Sequence, residues 1–233
     1  PVSREQIMSS NDLVLAERAV QSVWMVPDRD VGFVASYDVG PEKAHGRVQL
    51  GVFNGNNSLT GDDNDGKLYV ARAEMTSGSD STYKTFGTVS GVVVGVGGDV
   101  FYNQDIATDT LSYGGDLIVR VAGLAALAEA RYSSLSPTNS ELTVPEVLSD
   151  TDRLGWLAQV GYSIGRAELA VRYSSFDDNT AALNSGDVSA LSAGVTWHGP
   201  DDVLKIGGGY EARLEADTDI ANDTARLWFM YQY

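Results

Sequence analysis

The last eleven residues of the chain, 223–233, alternate between apolar and polar side chains and end on an aromatic residue. Every second residue from Ala225 to Tyr233 would share one face of a β-strand. The other face would carry Thr224, Arg226, Met230 and Gln232, with Trp228. An alternation of ~10 residues that stops on an aromatic is typical of the closing strand of an outer-membrane β-barrel. A soluble protein would usually continue with a few polar residues that fray. The ending therefore predicts a strand with one lipid-facing side.

The same period of two recurs along the chain. Residues 153–164 and 166–174 each place aliphatic and aromatic side chains on one face and polar or charged side chains on the other, and we predict that Leu154, Trp156 and Leu169 face lipid, with Val171. A soluble β-sandwich would have shorter strands and would bury its apolar face under a second sheet. The repeats therefore predict an all-β fold, an antiparallel transmembrane β-barrel that turns its apolar face outward.

Eleven strands are predicted in a single β-barrel domain that covers residues 1–233. They lie at 30–39, 45–54, 67–76, 88–104, 109–121, 123–134, 153–164, 166–175, 187–198, 203–214 and 223–233. Short connections alternate with longer polar ones, as short periplasmic turns alternate with longer extracellular loops in such barrels. The connection 77–87 is the exception, because it would be a long one on the periplasmic side.

Tyrosines and tryptophans are expected in two belts where their amphipathic rings meet lipid headgroups. With the C-terminus on the periplasmic side, one set falls near the outer interface and another near the inner one. The outer set is Tyr113, Tyr132, Trp156 and Tyr173; the inner set is Tyr162, Trp197 and Tyr233.

An odd number of strands is unexpected, since single-chain bacterial barrels have even numbers. Residues 1–29 would also enter strand 30–39 from the outer side, whereas a barrel that ends at the periplasmic side should begin there. We therefore expect that an odd number of N-terminal strands is absent, and that about eleven strands of a larger barrel are present.

Composition excludes several classes of protein. The chain has a formal net charge of −16, which disfavours nucleic acid as a partner, and no cysteine. It has no run of ~18 apolar residues that would form a transmembrane helix. His45 and His198 belong to no serine or metal motif, so we expect no enzyme activity, no metal and no cofactor.

Four short motifs near the start of the chain resemble a known family. Residues 1–10 read PVSREQIMSS, residues 17–20 read ERAV, residues 27–32 read PDRDVG and residues 50–55 read LGVFNG. Their order and spacing resemble the phosphate-selective porins O and P, in which a P-x-S-R-E segment precedes an arginine-aspartate-glycine strand start and a G-x-F-N-G strand end. The specific motifs lie within residues 1–55, and the rest of the chain matches in pattern only.

This resemblance implies a sixteen-stranded homotrimeric outer-membrane porin, with five strands ahead of Pro1. It implies passive diffusion of small hydrophilic solutes, among them anions such as phosphate, and contacts with outer-membrane lipid, lipopolysaccharide and the barrel-insertion machinery. Residues 1–29 would correspond to a segment folded over or into the pore.

The polar faces of the predicted strands carry more basic than acidic groups. The basic residues predicted to line the pore are Arg47, Arg72, Arg120, Arg131, Arg166, Arg172, Lys205, Arg213 and Arg226; the acids on those faces are Glu74, Asp116, Glu129, Glu168 and Glu211. Arg4, Arg18 and Arg29 are candidates for a constriction if residues 1–29 fold inward. A basic wall favours anions through its local field. The alternative is that the arginines pair with neighbouring glutamates and fill the interior.

Two other functions stay open at this level. A soluble β-rich binding or adhesive protein would use its acidic loops to contact a ligand or calcium; residues 61–66 resemble a calcium loop but lack the distal glutamate of an EF-hand. A barrel that does not conduct, plugged by residues 1–29, is the third reading.

Overall fold

The computed structural model describes residues 1–41, 43–55, 65–78, 81–105, 108–138, 149–183, 186–200, 203–216 and 220–231. Eleven strands form one antiparallel sheet in which each strand pairs with its neighbours in sequence order. The strands are β1 Gly32–Val39, β2 Ala44–Phe53, β3 Leu68–Ser77, β4 Val89–Gln104, β5 Thr108–Ala122, β6 Leu124–Pro137, β7 Thr151–Ile164, β8 Ala167–Asp177, β9 Val188–His198, β10 Leu204–Glu215 and β11 Thr224–Tyr231.

The predicted all-β fold and its eleven antiparallel strands are confirmed. The strand bounds agree within about three residues, and the end of the last predicted strand, residues 232–233, lies outside the described residues. The sheet is of the barrel type but is not closed: within the described part of the chain, β1 pairs only with β2 and β11 only with β10.

The burial of the two faces is the inverse of that in a soluble protein. On the apolar face, Leu154, Trp156 and Leu169 are 43%, 40% and 52% exposed, and Val171 is 53% exposed. On the opposite face, hereafter the polar face, charged side chains such as Arg72 are buried. Soluble folds bury apolar and expose charged side chains. The sheet therefore presents its hydrophobic surface outward along most of its strands.

The middle of the polar face is covered by residues 1–31, hereafter the inner segment. It contains two short α-helices, α1 Arg4–Ile7 and α2 Val20–Met25, and a 3₁₀-helix, Ser10–Asp12. The side chain of Ser3 caps α1 by accepting a hydrogen bond from the Gln6 amide, as N-cap serines do. Apolar side chains of the segment pack on apolar positions that interrupt the polar face. The largest such cluster is Met8, Leu13 and Ala19 against Ile118, Leu127 and Leu157.

Contacts of the inner segment require a curved sheet. Arg4 forms ion pairs with Glu74 on β3, and the adjacent Glu5 forms one with Arg172 on β8. These strands are five spacings apart, which is about 24 Å in a flat sheet. Two residues adjacent in sequence, Arg4 and Glu5, can contact β3 and β8 at the same time only because the sheet curves around the inner segment.

Connections at the two ends of the sheet differ in length. The end that holds Gly123 and the turn 165–166 has short connections, hereafter the short-turn end; the opposite end has long ones such as 138–150, hereafter the long-loop end. One connection at the short-turn end, residues 78–88, is long, and its described residues 81–88 fold back onto the polar face: the Thr85 amide donates to the Asp12 carbonyl (3.1 Å). Residues 81–88 are hereafter the inner loop. None of the described helices is long and apolar enough to cross a membrane.

Candidate functional site on the polar face

A network of buried charges joins the inner segment to four strands. Arg4 of the segment donates through Nε to Oδ1 of Asp116 on β5 (2.6 Å). Arg72 on β3 contacts Asp116 (2.7 Å) and Asp99 on β4 (3.2 Å), and Arg131 on β6 also pairs with Asp99. These side chains are 5% exposed or less. Cations and carboxylates alternate across the wall, so their charges are mutually neutralised.

A second group of charges holds the middle of the inner segment. The Glu5 carboxylate accepts from the Arg172 guanidinium (2.8 Å) and from the Ala19 amide (3.0 Å), so it ties α1 to the start of α2 and to β8. Arg172 also donates to the Glu17 carbonyl (2.8 Å) and lies 3.7 Å from a Glu211 oxygen. These contacts fix the position and direction of the segment.

Three basic residues at the flanks of the sheet form ion pairs that solvent can reach. Arg47 on β2 pairs with Asp38 on β1 (2.6 Å), Arg213 with Glu211 (3.2 Å), and Arg226 with Glu17 of the inner segment. The three arginine side chains are 36% to 38% exposed. They face the uncovered part of the polar face and keep a hydrated charge.

Two basic residues bind the inner loop. Arg120 on β5 donates to the carbonyls of Ser81 (2.7 Å) and Phe86 (2.6 Å). The Lys205 ammonium lies 3.9 Å from the centre of the Phe86 ring and also donates to the carbonyl of Asn11. These side chains thus anchor backbone and aromatic groups at the short-turn end.

The inner loop also contacts the charged network directly. Tyr83 donates its hydroxyl to Glu74 and lies below the Arg4 guanidinium, 5.2 Å from ring centroid to Cζ. Burial of the phenol and its bond to Glu74 raise the pKa of Tyr83 to about 12. The loop therefore stabilises Arg4 from the side opposite to the wall.

The remaining predicted residues occupy other environments. Arg166 lies exposed in the turn between β7 and β8, where Gly165 adopts a φ of 61°, and not on the strand wall as predicted. Arg18 is half-buried and donates to the Met8 carbonyl (2.7 Å), whereas Arg29 is exposed. Of the three constriction candidates, Arg4 points into the wall and Arg18 and Arg29 line a cavity.

The predicted surplus of basic groups on the wall is smaller in the structure. Asp38 and Asp99 also lie on the polar face, opposite Arg47 and Arg72, and they were missing from the predicted set of acids. Asp99 follows a run of valines and glycines. Because side chains alternate between faces and Val96 lies on the apolar face, Asp99, three residues later, could have been predicted to lie on the polar face. The structure thus favours wall pairing over a continuous row of uncompensated arginines.

One group of carboxylates has the spacing of a metal site. Ligand oxygens of Asp177, Asp178 and Asp187 lie within 4.8 Å of one another in the connection between β8 and β9. Burial and the neighbouring Asp177 raise the pKa of the Asp187 carboxyl above its usual range. Most of the calcium-like segment 61–66 lies outside the described residues, so that expectation stays a prediction.

No family model, no curated protein and no solved structure matches this chain. The resemblance to the phosphate-selective porins therefore stays a prediction, which depends on the motifs within residues 1–55.

Proposed function

We propose that this chain forms the wall of an outer-membrane porin through which small hydrophilic solutes, anions among them, diffuse passively. The inverted burial of the two faces carries the proposal. Leu227 and Phe229 are 93% and 69% exposed on one face, whereas Arg72 and Asp116 are buried on the other. Lipid is the solvent that makes such a surface favourable, because it removes the apolar side chains from water.

The heights of the aromatic residues support a membrane position. Tyr113 packs on Tyr132 (5.3 Å between ring centroids) and Trp156 on Tyr173 (5.2 Å), both on the apolar face towards the long-loop end. Tyr162 lies six residues further along β7, about 20 Å of strand from Trp156. A strand tilt of about 40° reduces this to about 15 Å along the membrane normal, so the two rings lie at different heights within the apolar band of about 25 Å that such barrels present.

The inner segment would narrow the channel from one side. It covers the polar face of the middle strands, so the path for solutes would run along its uncovered side, past Arg18, Arg29 and the flank arginines. Because the buried wall cations are held by carboxylates or carbonyls away from solvent, we assign any anion preference to these arginines, which solvent can reach even where the flank arginines pair with a carboxylate. The trimer, lipopolysaccharide contacts and use of the insertion machinery stay predictions.

The test is conductance of the full-length protein. Membrane fractions should release it only with detergent, and the purified protein should form open channels in planar bilayers with a reversal potential that favours chloride under a salt gradient. A water-soluble monomer without detergent would contradict the membrane assignment. Cation selectivity would contradict the anion preference but not the porin.

A plugged barrel is the alternative that a specific observation favours. The inner segment is bound to the wall through buried ion pairs, and the inner loop is bound to the segment and to the wall through hydrogen bonds. Membrane insertion with no conductance, followed by conductance after removal of residues 1–31, would support the plug. A soluble protein stabilised by calcium would support the adhesive reading instead.

A further inference from the structure

A cavity of about 700 Å³ opens between the start of the inner segment and the long-loop ends of β2 and β3. Its volume lies within the range of small-molecule sites in proteins, about 300–1,000 Å³. Within the described residues its lining combines apolar side chains, two arginines and two aspartates. Such a mixture restricts the chemistry of what can bind.

The apolar part of the lining interrupts the polar face. Leu68 and Val70 of β3 occupy inward positions that carry charged residues further along the strand, and they pack on Val2. Phe53 and Ile7 complete this wall, and Ile7 keeps 36% of its surface exposed. A fully hydrated inorganic ion gains nothing from such a wall, whereas an apolar group loses its contact with water there.

The charged part of the lining is nearly balanced. Arg18 bonds to neutral carbonyls of Gln6 and Met8, and Arg29 has no hydrogen-bond or ion-pair partner within the described ranges. Asp30 accepts from the amides of Val31 (2.7 Å) and Gly55 (2.5 Å), so its charge is already solvated by the backbone. Asp28 completes the set.

We propose that this cavity binds small organic carboxylates with an apolar body. A planar carboxylate matches the two-pronged guanidinium of Arg29. The two arginines and two aspartates of the lining balance formally, so the lining suits one negative charge at Arg29 and not several. A multiply charged phosphate would need more cations than the lining offers. The apolar body would lie against Ile7 and Phe53. The proposal deepens the porin function and rests on it where the bound solute is said to permeate.

Binding is measured first, without conduction. Full-length protein in detergent is titrated calorimetrically with benzoate, acetate and inorganic phosphate. Benzoate should bind at least tenfold more tightly than acetate or phosphate, because only benzoate uses both parts of the lining. Equal affinities for benzoate and acetate, or tighter phosphate binding, would overturn the proposal.

Two variants measure separately how much the charged part and the apolar part of the lining contribute to binding. Arg29→Gln should weaken benzoate and acetate alike by about tenfold, the loss of one charge-assisted pair. Ile7→Ser should weaken benzoate several-fold and leave acetate unchanged. Arg153→Gln, an equivalent substitution on β7 outside the cavity, is the control and should bind as the wild type does. If Arg29→Gln binds benzoate as the control does, the assignment is wrong.

Conductance of the same preparations in chloride separates this proposal from the porin. Benzoate should reduce the chloride current of the wild type at concentrations near its measured dissociation constant, and the Arg29→Gln variant should need about ten times more. Tight benzoate binding without any channel activity would contradict the porin and leave the cavity assignment standing. An open channel without benzoate binding would contradict only the cavity assignment.

Discussion

Two ion pairs on the same face of the sheet have the same geometry and different surroundings. Arg4 Nε lies 2.6 Å from Asp116 Oδ1, and Arg47 Nε lies 2.6 Å from Asp38 Oδ1. In the first pair the side chains are 0% and 1% exposed; in the second they are 37% and 55% exposed. The distance between the two charged groups therefore does not determine how much an ion pair contributes to the free energy of folding. The buried pair is desolvated, whereas solvent screens the exposed pair.

The difference comes from what covers each strand. The inner segment and the inner loop cover the middle strands, so water is excluded from Asp99, Asp116 and their partners. Every residue of β1 is exposed, because within the described structure nothing packs on that strand except β2. The middle of the wall is thus a packed interior, whereas its flank is a hydrated surface.

The largest effect is expected from Asp116→Asn in the covered region. The substitution leaves Arg4 and Arg72 buried with less compensating charge, and breaking such a pair costs about 3–5 kcal/mol. Unfolding of the full-length protein in detergent, followed by intrinsic fluorescence against denaturant, measures the loss. Asp38→Asn, at the same distance from its arginine, is the matched control and should leave the free energy of unfolding nearly unchanged, because solvent screens the exposed pair. Equal losses at both positions would remove the distinction between the regions.

Glu5→Gln should release the inner segment while the sheet stays intact. The amide can still accept one hydrogen bond but no longer neutralises Arg172, a change of about 1.5–3 kcal/mol. Limited proteolysis should then cut within residues 1–31, and Trp24 should lose its stacking on Phe176 (5.7 Å between centroids). Glu17→Gln, which removes a solvent-exposed partner of Arg226, should leave the segment protected. Cleavage at wild-type rates in Glu5→Gln would show that this residue does not anchor the segment.

Gly155→Ala should displace α2 from the wall. A Cβ at this position would lie 2.5 Å from both Gln21 Cβ and Met25 Sδ, so the helix must move, at about 1–3 kcal/mol. Gly161→Ala on the same strand meets no atom closer than 3.4 Å and serves as the control. The free energies of unfolding of the two variants provide the comparison. If Gly155→Ala is as stable as Gly161→Ala, α2 is not packed closely against β7 at Gly155.

The smallest effect concerns the inner loop at alkaline pH. Burial and the bond to Glu74 raise the pKa of Tyr83 to about 12 from its ordinary value of 10.0. Because this pKa is raised on folding, the protonated Tyr83 phenol stabilises the folded state fully below about pH 10. This contribution is lost as the pH rises towards 12. Since the phenol is only partly buried, we expect roughly 1 kcal/mol rather than the full ~2.7 kcal/mol of a two-unit shift. The pH dependence of unfolding of the wild type should exceed that of Tyr83→Phe in this window, and identical profiles would contradict the assignment.

The strands could be predicted from the sequence because period-two alternation fixes the face of each residue. Trp156 and Tyr162 are exposed on the apolar face, as their alternation predicts. The long connection at the short-turn end, an exception in the sequence, is explained by its folding onto the polar face. The alternation within one strand thus predicts where the strand lies and which face of the sheet each of its side chains occupies.

Partners across the interior could not be predicted in the same way. That Arg4 reaches β3 and β5, and Glu5 reaches β8, depends on how strongly the sheet curves, which no single strand encodes. Arg120 and Lys205 were predicted to face solutes and instead bind carbonyls of the inner loop and inner segment. Apolar residues such as Ile118 on the polar face were the sequence signal for a covering segment.

The bonds of the inner segment also impose an order of assembly. Ser3 bonds to a residue 96 positions later, Glu5 to one 167 positions later, and Glu17 to one 209 positions later. Contacts between residues so far apart in sequence form late in folding. The loss of conformational entropy on closing such long loops is large until the intervening strands have paired. The bond between Glu17 and Arg226 can therefore form only once β11 is in place, and we expect the strands to pair before the inner segment is fully bound.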